Sequence, residues 1–315
     1  MIQRRTVGIV GTGHVGVAAA YALFLQRIAS DLVLVDLDER RAEGEAMDLM
    51  HGQALAGRVT VRAGSYADLA AAQVIVISAG ASQQSPDETR LQLLRRNAAI
   101  FRSIVADLDR HAPEAILVVA TNPVDVLTYV TQALSRRPDA RVIGTGTLLD
   151  TSRFRALLGR HYHVDPRSVH AYILGEHGDS EVPIWSSAGI GGTPILDAEV
   201  LGRPFDRAAM QALFEQARDA AYEIIGRKGY TNTAIGVVIA RIVRAILDDE
   251  KSVLPVSVRL NGEYGIEDVC LSIPCVVGIE GVEARVPPPV SEDERAGLRA
   301  SADVLRRSMD GLDLG

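Results

Sequence analysis

Three residue types stand at spacings that could move a proton beside an anion. His177 lies within Gly175-Glu176-His177-Gly178-Asp179, and the run Asp150-Thr151-Ser152-Arg153 precedes it. Set between glycines after an apolar stretch, the His177 backbone is free to aim its ring. A carboxylate such as Asp150 raises the proton affinity of an imidazole and fixes its tautomer. The ring could then give a proton to a carbonyl oxygen and take it back in reverse. Arg153 follows Asp150 at i+3 on the same helix face. Its guanidinium could hold a substrate carboxylate in a two-pronged bond that lysine cannot match.

Such a set needs a source of hydride, and the start of the chain supplies a place for one. Gly11-Thr12-Gly13-His14-Val15-Gly16 follows a strand-like run and opens a helical stripe at Val15, Ala18, Ala19, Ala22 and Leu23. Gly11, Gly13 and Gly16 would permit a tight turn, approach of a pyrophosphate to backbone N–H groups, and close helix–sheet packing. Asp36 comes 20 residues after Gly16, at the end of the next strand, where it could accept from both ribose hydroxyls. Its charge would repel a 2′-phosphate, and Leu37 follows it in place of an arginine, so NAD is expected in preference to NADP. The two constellations together point to hydride transfer onto a 2-keto acid.

The elements that must position these residues can be read from patterning. β-branched runs at 6–10, 32–35, 59–62, 74–78, 116–120 and 142–144 are apolar on both faces and alternate with helical stretches. That rhythm predicts an α/β fold with a doubly wound parallel (Rossmann) sheet and ligands at its carboxyl edge. The second half reads as a helix over 149–159, a strand over 168–174 and a glycine-rich segment over 189–192. Helices over 207–225 and 232–247 and antiparallel strands over 252–260 and 269–277 follow. A last helix starts after Ser291, with Glu292 and Glu294 in its first turn and Arg306 and Arg307 near its end, as the helix dipole favours. An NAD-binding domain over 1–145 and an α+β substrate-binding and catalytic domain over 146–315 are expected.

Composition narrows the function classes. A chain of 315 residues with 47% hydrophobic content can bury a large core. A net charge of −7 without a basic run argues against nucleic acid as a partner. The apolar runs are strand-sized, too short for a membrane span, and the N-terminus has no secretory pattern. The two cysteines, Cys270 and Cys275, sit in an apolar stretch and read as buried thiols of a cytoplasmic protein. His161 and His163 lack a carboxylate at metal-ligand offsets, so no metal is expected.

The motifs recur in an order that resembles the L-lactate/L-malate dehydrogenase family, closer to its lactate dehydrogenase branch. The resemblance runs from residue 6 to about 310. It is carried by GTGHVG, by Ala79-Gly80-Ala81 leading to Glu88-Thr89-Arg90, and by Thr121-Asn122-Pro123-Val124-Asp125. Leu149-Asp150-Thr151-Ser152-Arg153-Phe154-Arg155, the Gly175–Asp179 run and Lys228-Gly229-Tyr230-Thr231 complete it. The resemblance implies that His177 is the proton donor and acceptor, oriented by Asp150, with Arg153 holding the substrate carboxylate. It implies that Arg90 polarises the reacting carbonyl, that Asn122 hydrogen-bonds it, and that Thr231 lines the substrate pocket. Val15, Tyr66, Gly80, Ala81, Asn122 and Thr145 fall where the family contacts the dinucleotide.

The same resemblance makes Gln83 the residue that sorts substrates. A neutral side chain there leaves the second carboxylate of malate unpaired in a closed site, so pyruvate and L-lactate are favoured. The loop over 83–90 is one residue longer than in most lactate enzymes. That leaves Gln83 or Gln84 facing substrate and keeps an L-2-hydroxyisocaproate or broader L-2-hydroxy acid dehydrogenase as the alternative, with malate last. A non-catalytic NAD-binding protein is disfavoured because His177, Asp150, Arg153 and Arg90 are all intact. Arg155 and His170 match positions that bind fructose 1,6-bisphosphate across a subunit interface in many bacterial relatives. A homotetramer under allosteric control, serving glycolysis and pyruvate fermentation, is the implied assembly and setting.

Overall fold

The computed structural model describes residues 5–81, 90–310 and 312. Its first half alternates β1 (Thr6–Val10), α1 (His14–Gln26), β2 (Asp31–Val35), α2 (Glu39–His51), a short α3 (Gln53–Ala56), β3 (Thr60–Ala63) and β4 (Val74–Ile77). The alternation continues through α4 (Arg90–His111), β5 (Ile116–Val119), α5 (Val124–Leu134) and β6 (Val142–Gly144). Every residue of β1, β2, β4 and β5 is buried. This is why these strands carry no alternating polar face: helices cover both sides of the sheet.

The strands β3-β2-β1-β4-β5-β6 lie side by side in that order and pair in parallel. The chain reverses its direction of travel across the sheet between β1 and β4. That reversal leaves a crevice at the carboxyl edge, with the Gly11 turn and the residues after β4 on its two lips.

The second half comprises α6 (Leu148–Tyr162), β7 (Val169–Leu174), β8 (Val182–Ile190), β9 (Thr193–Pro194), α7 (Arg207–Lys228) and α8 (Thr233–Leu247). It ends with β10 (Ser252–Asn261), β11 (Glu267–Gly278), β12 (Gly281–Arg285) and α9 (Glu292–Met309). The expected antiparallel pair over 252–260 and 269–277 is present as β10 and β11, but it does not form a sheet of its own. β10 pairs antiparallel with β6 through Ser257 opposite Gly144, so the described residues contain one nine-stranded sheet that crosses the expected boundary at 145. Gly144 permits the junction: a Cβ there would lie 2.8 Å from the Ser257 Cβ and collide with the Thr128 hydroxyl.

Three strands were not anticipated from the sequence, β8, β9 and β12. The glycine-rich segment over 189–192 is the end of β8 and the turn into β9. β7, β8 and β9 make a separate small sheet. Behind it a second core of Phe154, Tyr162, Ile173, Met210 and Phe214 joins α6, β7 and α7. α9 begins after Ser291 as expected, with a reciprocal cap in which the Ser291 hydroxyl accepts from the Glu294 N–H and the Glu294 carboxylate accepts from the Ser291 N–H. Cys270 and Cys275 are buried free thiols. Among the described residues no helix is long and apolar enough to cross a membrane.

Candidate active site

The dinucleotide fingerprint folds as the crevice requires. Gly11 takes φ +99°, a left-handed conformation, and a Cβ on it would lie 2.6 Å from Ala79 Cα after β4. A Cβ on Gly16 would collide with the Gly11 carbonyl, whereas Gly13 has open space above it. The Thr12 N–H and hydroxyl donate to one Asp36 oxygen at 2.6 and 2.8 Å, and the Asp38 N–H donates to the other at 3.0 Å. Burial pushes the Asp36 carboxyl up, but these bonds outweigh it and hold the group below the usual carboxylate range. A cleft of about 570 Å³ follows, lined by Gly11, Asp36, Tyr66, Gly80 and Ala81 among others. Its open glycine, its ionised carboxylate and its apolar walls fit a dinucleotide. A larger cleft of about 840 Å³ opens elsewhere, between Arg5, Arg58, Glu114 and Glu280, and none of the anticipated site residues lines it.

The residues expected to be catalytic converge from separate elements. Asp150, in the first turn of α6, accepts from both partners: its Oδ2 lies 2.6 Å from His177 Nδ1 and its Oδ1 takes Arg153 Nη1 at 2.8 Å. The Asp150 side chain is 3% exposed and that of His177 is 25% exposed, so the ring closes over the carboxylate and keeps one side open. Burial alone would push the His177 imidazolium down, yet the charge and hydrogen bond of Asp150, helped by Asp125 and Glu181, raise it to about 9. Burial likewise opposes ionisation of Asp150, and His177 and Arg153 reverse that and hold it low.

The loop carrying His177 is held by residues distant in sequence. Gly175, at φ +95°, exchanges backbone hydrogen bonds with Ser272 of β11. The Glu176 N–H donates to Ser301 Oγ on α9, and the His177 N–H donates at 2.7 Å to Asp125 Oδ2 on α5. Asp125 in turn accepts from Ser257 Oγ at 2.6 Å, and burial lifts its carboxyl to about 6. Asp125 was visible only as the end of the Thr121–Asp125 run, with no role attached. Glu181 was missed altogether: it is 6% exposed and gathers with Asp150 and His177 so that one ligand-type atom of each lies within 4.8 Å of the others. An isolated charged letter reads as surface in a sequence, and only the fold reveals its burial. Three such groups could cage a cation, but Arg153 already pairs with the Asp150 carboxylate, and its positive charge repels a metal ion there.

The remaining anticipated residues are distributed around the crevice. Val15 is in the first turn of α1 and partly buried, Thr145 is 3% exposed, and Asn122 is exposed after β5. Thr231 adjoins Tyr230, whose ring stacks on His14 of the cofactor turn at 3.9 Å and 3°. Arg155 donates to the Ala171 carbonyl at 2.9 Å and lies over the Tyr172 ring, next to the exposed His170. Gln83 and Gln84 lie outside the described residues. Of Arg90 only the backbone is described, as the first residue of α4.

Comparison with known proteins agrees with this geometry. Residues 5–144 match the NAD binding domain of lactate/malate dehydrogenases, and residues 147–312 match the α/β C-terminal domain. The chain is 70% identical to the L-lactate dehydrogenase of Salinibacter ruber over all of both chains. It is 50% identical to the L-lactate dehydrogenase of Thermus aquaticus, covering 97% of this chain and 99% of that one. The crystal structure of the minor L-lactate dehydrogenase of Enterococcus mundtii in a ligand-bound form superposes with a TM-score of 0.96 at 44% identity, covering 99% of this chain and all of the other. A cleft at the β1/β4 crossover that fits a dinucleotide, a histidine paired with a buried aspartate and two matched domains lead to one conclusion: the chain belongs to the lactate/malate dehydrogenase family.

Proposed function

We propose that this protein is an NAD-dependent L-lactate dehydrogenase that interconverts pyruvate and L-lactate, with residues 1–145 serving the cofactor and 146–315 the substrate. The observation that carries the proposal is the single carboxylate of Asp150, which touches the His177 ring on one oxygen and Arg153 on the other. This geometry sets a proton donor and a carboxylate-binding guanidinium at a fixed separation, as a 2-keto acid requires. When bound, the cofactor supplies or accepts the hydride. His177, charged below about pH 9, donates its proton to the carbonyl oxygen in the reductive direction and recovers it in the oxidative one. Asp150 stabilises the charged ring and keeps Nδ1 engaged, so the proton leaves from Nε2. Arg153 orients the substrate through its carboxylate.

Asp36 would select NAD through the ribose hydroxyls, with Gly11, Gly13, Val15, Gly16, Tyr66, Gly80, Ala81, Asn122 and Thr145 around the cofactor. Arg90 and Asn122 would polarise the carbonyl, and Thr231 and Gln83 would border the substrate side chain. The neutrality of Gln83 supports pyruvate over oxaloacetate. We further assign a cytoplasmic homotetramer acting in glycolysis, with Arg155 and His170 as a site for fructose 1,6-bisphosphate. The contacts of Arg155 with Ala171 and Tyr172, the two residues that follow His170 on β7, support that assignment. Steady-state rates with pyruvate, oxaloacetate and 2-ketoisocaproate, each with and without the sugar bisphosphate, test the whole reading. A marked pyruvate preference is expected, and a preference for the branched acid would overturn the lactate assignment.

A further inference from the structure

The chemistry above uses His177, Asp150 and Arg153 but leaves a buried acid beside them without a task. Glu181 stands just before β8 and is 6% exposed, and its Oε1 has no hydrogen-bond partner. It gathers with the Asp150 carboxylate and the His177 ring within 4.8 Å. The charged groups facing it are Asp150 and Arg153 on α6, His177 on its own loop, and Arg218 on α7, which is itself tied to Asp219. Asp125 of α5 acts on His177 from its backbone side. As an anion, Glu181 would add a second buried negative charge beside Asp150 with one oxygen unbonded, a costly arrangement. With a proton it is neutral. Burial first, and the Asp150 charge second, push its carboxyl up to about 9, against the pull of His177, Arg153 and Arg218.

We propose that Glu181 is a positioning acid that carries a proton through the neutral range and whose ionisation in alkali keeps the proton on His177, extending the reductive reaction to higher pH. The proposal rests on His177 being the proton donor. Glu181 and His177 release protons over overlapping ranges, so the two titrate as a coupled pair. When Glu181 ionises, its new charge strengthens the hold of His177 on its own proton. A neutral amide at the same place develops no charge, and His177 then loses its proton at lower pH.

The test follows kcat/KM for pyruvate with NADH from about pH 6 to about pH 10.5 in the wild type, Glu181→Gln and Glu181→Asp. A ¹⁵N NMR titration of the His177 ring in substrate-free enzyme runs alongside, assigned with His177→Asn. Glu181→Gln is expected to lower the alkaline midpoint by about one pH unit in both measurements, while Glu181→Asp holds it near the wild type. An unchanged midpoint in Glu181→Gln would overturn the proposal, as would an equal drop in both variants, which would make packing and not charge responsible. The NMR titration requires no turnover. Should His177→Asn remain fully active, the donor assignment falls while the effect of Glu181 on the ring is still read directly.

Discussion

The cofactor turn and the catalytic loop are built in opposite ways. Around the cofactor, Thr12 reaches Asp36 across 24 residues, and the other determinants are a strand, a glycine turn and a helix in immediate succession. In the catalytic loop, three successive residues, Gly175, Glu176 and His177, are tied by their backbone N–H groups to β11, α9 and α5. The partners of Glu176 and His177 lie 125 and 52 residues away. The first region is a local motif that the sheet displays. The second exists only when α5 of the first half and β11 and α9 of the second have closed around it, so damage to its supports should reach the chemistry while sparing the cofactor.

The largest separation between the two regions is expected from His177→Asn. Turnover should fall by about 10²–10⁴-fold, while NADH affinity, followed by fluorescence titration, stays at the wild-type value. Normal turnover would remove His177 from its role. In the wild type the same residue sets a pH dependence of definite sign. Its imidazolium is raised from the ordinary 6.5 to about 9, so the stability it contributes is complete below about pH 6.5 and is lost as pH rises through about 9. Pyruvate reduction should decline over that alkaline range as lactate oxidation gains.

Asp125→Ala sharpens the contrast from the supporting side. It leaves the His177 N–H and the Ser257 hydroxyl without an acceptor, at about 1–3 kcal/mol for each buried group. The melting temperature and kcat should both drop while NADH binding persists; loss of NADH binding first would contradict the division drawn above. Asp36→Asn makes the reciprocal cut. Losing one charge-assisted set of hydrogen bonds should weaken NADH binding by about 10–100-fold, with kcat at saturating NADH little changed. Gly144→Ala has the smallest expected effect, about 1–3 kcal/mol of stability from overpacking against Thr128 and Ser257. Differential scanning calorimetry would register it, and an unchanged melting temperature would mean that the β6–β10 junction yields.

The same contrast explains what was legible in the sequence. The parallel strands could be read because all but β3 are buried on both faces and each is a short β-branched run. Gly11, Gly16 and Asp36 could be read because their spacing alone encodes a turn and a strand end. β8 escaped because Pro183, Ser186 and Ser187 interrupt its apolar pattern, and its burial alternates unevenly. Glu181 and the role of Asp125 escaped for a different reason. Their burial depends on helices α5, α6 and α7 closing over a loop, and no local pattern records that event. His177, Asp150 and Arg153 were singled out through residue chemistry and family likeness, and the fold supplies the reason that they meet.

The pairing of Ser257 with Gly144 bears on modularity. The two matched segments are contiguous in sequence but share one hydrogen-bonded sheet. A fragment ending at residue 144 would present β6 as a bare edge, stripped of its β10 neighbour and open to pairing with another chain. Exchanging either half for that of a relative therefore transplants a seam as well as a site. Chimeras of this protein should be cut so that β6 and β10 come from the same parent.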